Sequence, residues 1–341
     1  MYPDRPRISI RPICHLVHVP EFPVVGQFEI FLLIDKTSPM CNTLYVMAAT
    51  VPGNANDFIE QQLDDRLQEI EKHFEADCLS CSGPIILGID NLLRFAIETK
   101  KAKSNKARLV VVLTTAGGYI EIVQRMVDTM RHHYATVDFI IPNYAYSAGT
   151  VLALSGDAIH MDYYSRLGPI DPQLQTAKGL MVPALGYLEQ YERLIKKAQD
   201  GKITQAEVQL LINGFDQAEL YQYEQARKLS ISLIKEWLVK YKFKNWNKTE
   251  TRGKTVTARM RARQAGDIAR LLNKTEKWHI HGYGISMDVL RKDLNLKIDD
   301  FGENKDLDKK IRGYYNLLDD YMIKKGDRGV LHIGGIYRPY R

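Results

Sequence analysis

Cysteine is scarce and confined: the 341-residue chain has four, Cys14, Cys41, Cys78 and Cys81, all in its first quarter. That excludes a disulfide scaffold for the rest of the chain and restricts any thiol or metal role to the start. Cys78 and Cys81 form one CxxC, and Cys14, His15 and His18 offer further ligands to a zinc; the plainer reading is reduced thiols in a reducing compartment. Long apolar runs are missing as well. No stretch reaches the ~18 residues of a membrane span, and the opening MYPDRPRISIRP lacks the apolar core of a secretory signal. The expectation is a cytoplasmic protein with no integral membrane segment, membrane association being left open. There is no internal repeat, no low-complexity segment and no G-x-G-x-x-G dinucleotide loop, so no redox cofactor is expected.

What is present is ordinary for a soluble globular protein, with 45% hydrophobic and 26% charged residues in a chain longer than one typical domain. The net charge of +6 is uneven. From Ala226 to Gly266 twelve Lys or Arg face only Glu236 and Glu250, a local +10, and the remainder is left with 35 basic against 39 acidic residues. Interleaved with Tyr241, Phe243 and Trp246, this segment has the composition of a nucleic-acid contact; a solvated helix face or a subunit contact has the same composition.

Residues 1 to about 52 read as strands, ISIRPICHLVHV, QFEIFLLID and TLYVMAAT. Asn56 to Phe74 reads as a helix capped by Asn56 or Asp57, with Phe58, Leu63, Leu67, Ile70 and Phe74 as its apolar stripe. A second helix, capped by Asp90, runs to about Lys100, and strand and helix then alternate: LVVVL, Ile120 to His133, DFIIP, SAGTVLALS and AIHMD. That alternation signals a parallel sheet with crossover helices, which places ligands at the carboxyl ends of its strands. Beyond Asp171 the chain reads as mainly helical: Pro183 to Gln199, Thr204 to Leu211, Ala218 to Tyr241, Ala265 to Leu272, Met287 to Leu294 and Lys305 to Lys325. KNWNKTETRGKTVT reads as a polar loop and GVLHIGGIYRPYR as a tail.

Two stretches lie where such a sheet would bind a ligand. TTAGG ends the strand LVVVL, and its glycines allow a sharp turn with unobstructed N–H groups, the geometry an oxyanion hole requires; a plain turn uses glycines in the same way. YAYSAGT follows DFIIP. Ser147 at the head of a helix is a nucleophile with the Ala148 and Gly118 N–H groups aimed at one spot, or else a helix cap worth about 1 kcal/mol.

A third stretch joins them. TTAGG, YAYSAGT, IHMD and LGPIDPQ, in that order over roughly 65 residues and with no gap needed, resemble the serine dehydrogenase proteinase family. Its members are relatives of signal peptide peptidase within the Clp protease and crotonase fold. They show a PGG-type turn, a tyrosine-containing segment running into S-G/A-G-T, a strand ending in MD, and L-G-P-hydrophobic-D-P-Q. WHIHGYGISMDVLRKDLNLKI is similar to the family's closing segment, with one extra residue between Trp278 and His281 and Asn295 in place of a glycine; Ala226 to Lys228 matches its A-x-K step. The likeness covers about residues 83 to 300.

The resemblance implies an α/β chain with a Clp/crotonase-like core at 81–300, leaving a small N-terminal α+β module at 1–80 and a C-terminal helix and tail at 301–341. It implies a serine peptidase acting on a peptide or protein, with Ser147 as nucleophile, Gly118 and Ala148 as oxyanion hole, and no metal or organic cofactor. It implies a homo-oligomer built on trimeric units whose subunits enclose the site. The base is open. Asp171 stands where Clp proteases carry histidine, and a carboxylate with a reference pKa of about 3.9 is a poor base for serine, so it orients a base or holds its loop. Lys228, matching the family's helix lysine, is one candidate, with Lys178, Lys196 and Lys197 nearer in sequence; His281, beside His279, is the other. A peptide-binding scaffold without catalysis, in which Ser147 only caps a helix, is the rival reading.

Overall fold

The computed structural model describes residues 28–33, 45–50, 53–170, 173–175, 181–249, 253–278 and 283–340. The chain divides into two units, 1–61 and 62–341. In the first, β1 (Phe28–Leu33) and β2 (Tyr45–Thr50) pair antiparallel, with Phe28 opposite Thr50 and Leu33 opposite Tyr45. These are two of the three strands expected there; ISIRPICHLVHV, with Cys14, His15 and His18, lies outside the described residues, as does Cys41. The cap of α1 (Ala55–Phe74) is Asn54, whose side-chain oxygen accepts from the Asn56 and Asp57 N–H groups, rather than Asn56 or Asp57 themselves. Leu63, Leu67, Ile70 and Phe74 are buried as the stripe predicts, whereas Phe58 is exposed.

The second unit is built on strands β3 (Asp77–Ser82), β4 (Arg108–Thr114) and β5 (Thr136–Ile140), with α2 (Ile89–Lys101) and α3 (Ile120–His133) as crossovers. The chain continues through β6 (Tyr144–Ala145), α4 (Ala148–Leu154), β7 (Ala158–Met161), β8 (Arg166–Leu167) and the β9 (Gln173–Gln175) and β10 (Met181–Pro183) pair. Helices α5 (Ala184–Gln199), α6 (Gln205–Gly214), α7 (Gln217–Trp237), α8 (Ala258–Leu272) and α9 (Thr275–Trp278) follow. Last come β11 (Ile285–Ser286), α10 (Met287–Leu294), β12 (Asp299–Asp300), α11 (Lys305–Lys325), β13 (Gly329–Ile333) and β14 (Ile336–Tyr340).

Seven strands form the main sheet in the order β12-β7-β5-β4-β3-β13-β14. The first five run parallel, and β13 and β14 are added antiparallel. Thus GVLHIGGIYRPYR, read as a tail, is a hairpin that extends the sheet. β3 also escaped the sequence reading, because Asp77, Ser80 and Ser82 make DCLSCS look polar. All six of its residues are buried, and Asp77 is satisfied by the Ser104 hydroxyl at 2.7 Å and the Tyr134 hydroxyl at 2.8 Å. Cys78 and Cys81, three apart on this strand, point to opposite faces, and burial pushes both thiols up, Cys81 to about 12. Among the described residues no group of three His, Cys, Asp or Glu could hold a metal ion.

One face of the sheet carries Leu79, Leu113, Val111 and Phe139 against α2, α3, α4, α7 and α8, a single continuous apolar core. Each such side chain contributes on the order of 1.5–3 kcal/mol. α11 packs on the opposite face through Ile311, Tyr314 and Leu318, with the Tyr314 hydroxyl 2.9 Å from His332 Nδ1 of β13. Asp90 does not cap α2; Gly88 holds that position, and the carboxylate of Asp90 pairs with Arg125 at 2.9 Å. Among the described residues no helix is long and apolar enough to cross a membrane.

Asp157, at the start of β7, illustrates how the basic segment is absorbed. Its carboxylate accepts from the Val137 N–H at 2.8 Å and from Arg131 at 2.6 Å, and it pairs with Lys244. Burial opposes its charge, but bonds from Lys244, Val137 and Arg131 outweigh burial and hold the carboxyl below its ordinary range. A carboxyl depressed in the folded state stabilises above its unfolded value of about 3.9, and that contribution disappears as pH falls through the lower folded value. Asp157→Asn is therefore expected to melt below wild type at neutral pH, with the gap closing below about pH 4 in melts taken across that range.

Candidate active site

The site begins where β4 ends. Thr115 bridges Ala145, and Gly118 bridges Ile85 on the other side, so the TTAGG stretch is held between two flanking chains. The Ile85 N–H donates to the Gly117 carbonyl and the Tyr119 N–H to the Ile85 carbonyl, both at 2.9 Å. This parallel pattern spends the groups on either side of Gly118 and turns the Gly118 N–H away from Ile85. Only glycine fits: a Cβ on Gly118 would lie 1.9 Å from the Ile85 carbonyl oxygen. Gly117, at φ 106°, abuts the serine turn, since its Cβ would meet the Tyr146 oxygen at 2.8 Å, Ser147 Cβ at 2.9 Å and the Ala148 nitrogen at 3.3 Å.

β6 delivers Ser147 to the head of α4. Its backbone lies at φ 53° and ψ −118°, a left-handed conformation that costs a residue bearing a Cβ roughly 1–3 kcal/mol. Its side chain makes no capping hydrogen bond to α4, so the helix-cap reading fails. The Ala148 and Gly118 N–H groups donate to no backbone acceptor among the described residues. Every neighbour in the motif has a packing reason. Gly149 lets α4 lie on Thr115, whose Cγ2 would be 2.3 Å from an added Cβ. The Thr150 hydroxyl, buried, sits 2.8 Å from the Ala145 carbonyl and 2.9 Å from that of Gly168, and accepts from the Gly168 N–H at 3.0 Å. Gly168 passes under the Tyr146 ring, which an added Cβ would meet at 2.7 Å. Tyr146 stacks on Tyr144 at 5.0 Å, and burial raises its phenol.

A small sheet, β11-β8-β6, frames the serine. Tyr144 and Ala145 pair with Arg166 and Leu167, and Leu167 pairs with Ile285. The IHMD stretch serves this frame: Asp162 accepts from the Tyr164 N–H at 2.9 Å and the Ser165 N–H at 3.0 Å, and it pairs with Arg312 of α11. Burial acts first and upward on its carboxyl, but the bonds from Arg312 and Ser165 hold it below the ordinary range. Sequence reading missed Arg312, since 150 residues separate the pair and an isolated arginine in a charged helix carries no local signal.

Of the expected site residues, Ser147 and Ala148 lie against Gly117, the chain neighbour of Gly118. Asp171, His281, His279 and Lys178 lie outside the described residues. Lys228 stands on α7 with its side chain 64% exposed and bonded to Glu224 at 2.9 Å, without the desolvation that a neutral lysine base requires. Lys196 is exposed and Lys197 pairs with Glu207 at 2.5 Å. His160 is packed within β7 against the Phe74 ring, and burial lowers its pKa.

The basic segment spends its aromatic rings on packing. Tyr241 lies beneath the Arg131 guanidinium at 3.6 Å, Phe243 is buried, and Trp246 packs on Phe243 at 5.5 Å. Arg261 donates to the Trp246 carbonyl at 2.9 Å. Tyr241 and Trp246 are half-buried against the core.

Two proteins of Methanocaldococcus jannaschii are similar to parts of the chain. The uncharacterized protein MJ1495 is 34% identical over 90 residues, 26% of this chain and 29% of that protein. The uncharacterized protein MJ0137 is 39% identical over 64 residues, 19% of this chain and 22% of that protein. The chain thus spans less than a third of the length of these relatives. Among solved structures, a mutant of the membrane-bound stomatin-specific protease 1510-N in complex with a substrate peptide aligns with a TM-score of 0.38 and 15% identity over 64% of this chain and 72% of that one. A mutant of ClpP1 from Listeria monocytogenes aligns with a TM-score of 0.39 and 13% identity over 73% and 99%. The sequence model of the ClpP-like SDH-type serine proteinases matches residues 89–259, half of the chain and the whole span from α2 through the Ser147 turn to α8, and the protein belongs to that family.

Proposed function

We propose that the protein is a serine endopeptidase. The observation that carries this reading is the Ser147 turn, a left-handed serine that does not cap its helix, set against a glycine pair no other residue could replace. Ser147 Oγ attacks the carbonyl carbon of a peptide bond while a base takes its proton. The Gly118 and Ala148 N–H groups receive the developing oxyanion, the base returns the proton to the departing amine, and water then releases the acyl group by the same path.

We assign the base to His281 in preference to Lys228. Lys228 is exposed and held by Glu224, whereas His281 falls in sequence between Trp278, whose Nε1 donates to the Leu271 carbonyl at 2.7 Å, and Ile285, paired with Leu167 beside β6. Asp171 then orients the base or braces its loop. The substrate is a peptide or protein, and the working form is a homo-oligomer.

The test is labelling by a fluorophosphonate, read by intact mass and by mapping the adduct to Ser147. No Ser147-dependent adduct on the folded protein leaves a peptide-binding scaffold instead. If His281 is the base, the labelling rate rises with pH around its ordinary pKa of about 6.5. His281→Ala should lose that limb and on the order of 10²-fold in rate, while Lys228→Ala stays within about twofold. The opposite ranking would return the role to lysine.

A further inference from the structure

Arg312, on α11, touches both chain segments that leave the carboxyl edge of the main sheet for the small sheet around Ser147. Its guanidinium donates to the Pro142 carbonyl, just after β5, and to the Asp162 carboxylate, just after β7. The group lies over two rings, with its carbon 5.6 Å from the centre of Phe301 and 5.7 Å from that of Tyr164. One turn further along α11, the Tyr315 hydroxyl accepts from the Asn143 amide at 2.7 Å. α11 lies outside residues 89–259, the part matched to the family.

From these two anchor points the contacts run in a closed ring that contains the serine. From Pro142 the chain passes through β6 to Ser147. From Asp162 it passes through the Ser165 turn and β8 to Gly168, with the Arg166 N–H donating to the Asn143 carbonyl at 2.7 Å on the way. The Thr150 hydroxyl, on the first turn after Ser147, joins Gly168 to Ala145. Arg312 closes the ring at its far side. A guanidinium can hold a carbonyl and a carboxylate at a fixed separation because its donors diverge from one rigid plane; an ammonium offers only a single point of charge.

We infer that Arg312 is a positioning residue: it fixes the spacing of the two crossovers and thereby keeps the Ser147 turn in its strained conformation, so that α11 sets the reactivity of the serine from outside the family's matched core. The kinetic consequence rests on the peptidase reading; the positional one does not.

Full-length Arg312→Met, Arg312→Lys and Arg312→Ala test it, by amide hydrogen exchange across the molecule and by the fluorophosphonate labelling rate. Exchange in 141–150 and 162–168 should quicken by about tenfold or more in Arg312→Met while α2 and α3 keep their protection. Labelling should slow by about tenfold, with reagent affinity unchanged. Guanidinium ion added to Arg312→Ala should recover part of both effects, and Arg312→Lys should fall between. Unchanged exchange in both segments of a folded variant overturns the inference, as does equal acceleration everywhere, which marks a merely global loss of stability. If Arg312→Met does not fold, Arg312→Lys decides by the same exchange readout. A wild-type protein that takes no label refutes the peptidase reading and leaves the exchange result to decide this one.

Discussion

Ser147→Ala is expected to abolish covalent labelling and to lower peptide hydrolysis by on the order of 10⁴-fold or more, the scale on which removing an attacking serine acts when its partners function as a unit. The folded state should persist, because the hydroxyl does not cap α4 and the turn is held by Gly117, Gly149 and Thr150 around it. A second substitution separates chemistry from strain. Ser147→Gly is equally inactive, but glycine takes φ 53° without a Cβ penalty, so it should melt at or above Ser147→Ala despite the extra freedom of its unfolded chain. Thermal melts of the three proteins read this order. Loss of folding in Ser147→Ala, or labelling that survives it, contradicts the assignment.

Gly118→Ala is the second large effect. The added methyl would sit 1.9 Å from a backbone oxygen, a clash no side-chain rotation relieves, so Ile85 or the turn itself must move. Overpacking of this kind costs about 1–3 kcal/mol or more, and displacing one oxyanion donor costs about 10²- to 10³-fold in rate. The combined expectation is a lower melting temperature together with labelling slowed by that factor. Gly88→Ala is the control: its φ is also positive, at 94°, but nothing lies within 4 Å of the added carbon. It should lose stability alone, and the contrast isolates the approach of Ile85 as the cause.

The parts of this molecule legible in the sequence are those whose signal is local. β4, β5 and β7 are short apolar runs bounded by turns, and Gly117 and Gly149 are explained by neighbours within one motif or the next. The parts that escaped depend on distant partners. DCLSCS reads as polar until the Ser104 and Tyr134 hydroxyls are brought to Asp77. GVLHIGGIYRPYR reads as a tail until β3 offers it an edge, and Asp162 looks like an ordinary loop acid until Arg312 arrives from α11. A family pattern names Lys228, while its exposure and its Glu224 partner are visible only in the fold. A pattern names residue types at positions; desolvation is a property of the folded surface.

The place of β13 beside β3 bears on how the molecule is born. The Tyr340 hydroxyl reaches the Ser82 carbonyl, a contact between residues 258 positions apart. At the usual pace of about 5–20 residues per second, a ribosome needs on the order of tens of seconds to travel that distance. During all of that time β3 has emerged with one lateral edge bare, the exposed row of main-chain donors and acceptors that invites intermolecular pairing. α11 is also translated well after Ser147. The nascent chain therefore carries its serine long before the helix that ties down the crossovers around it.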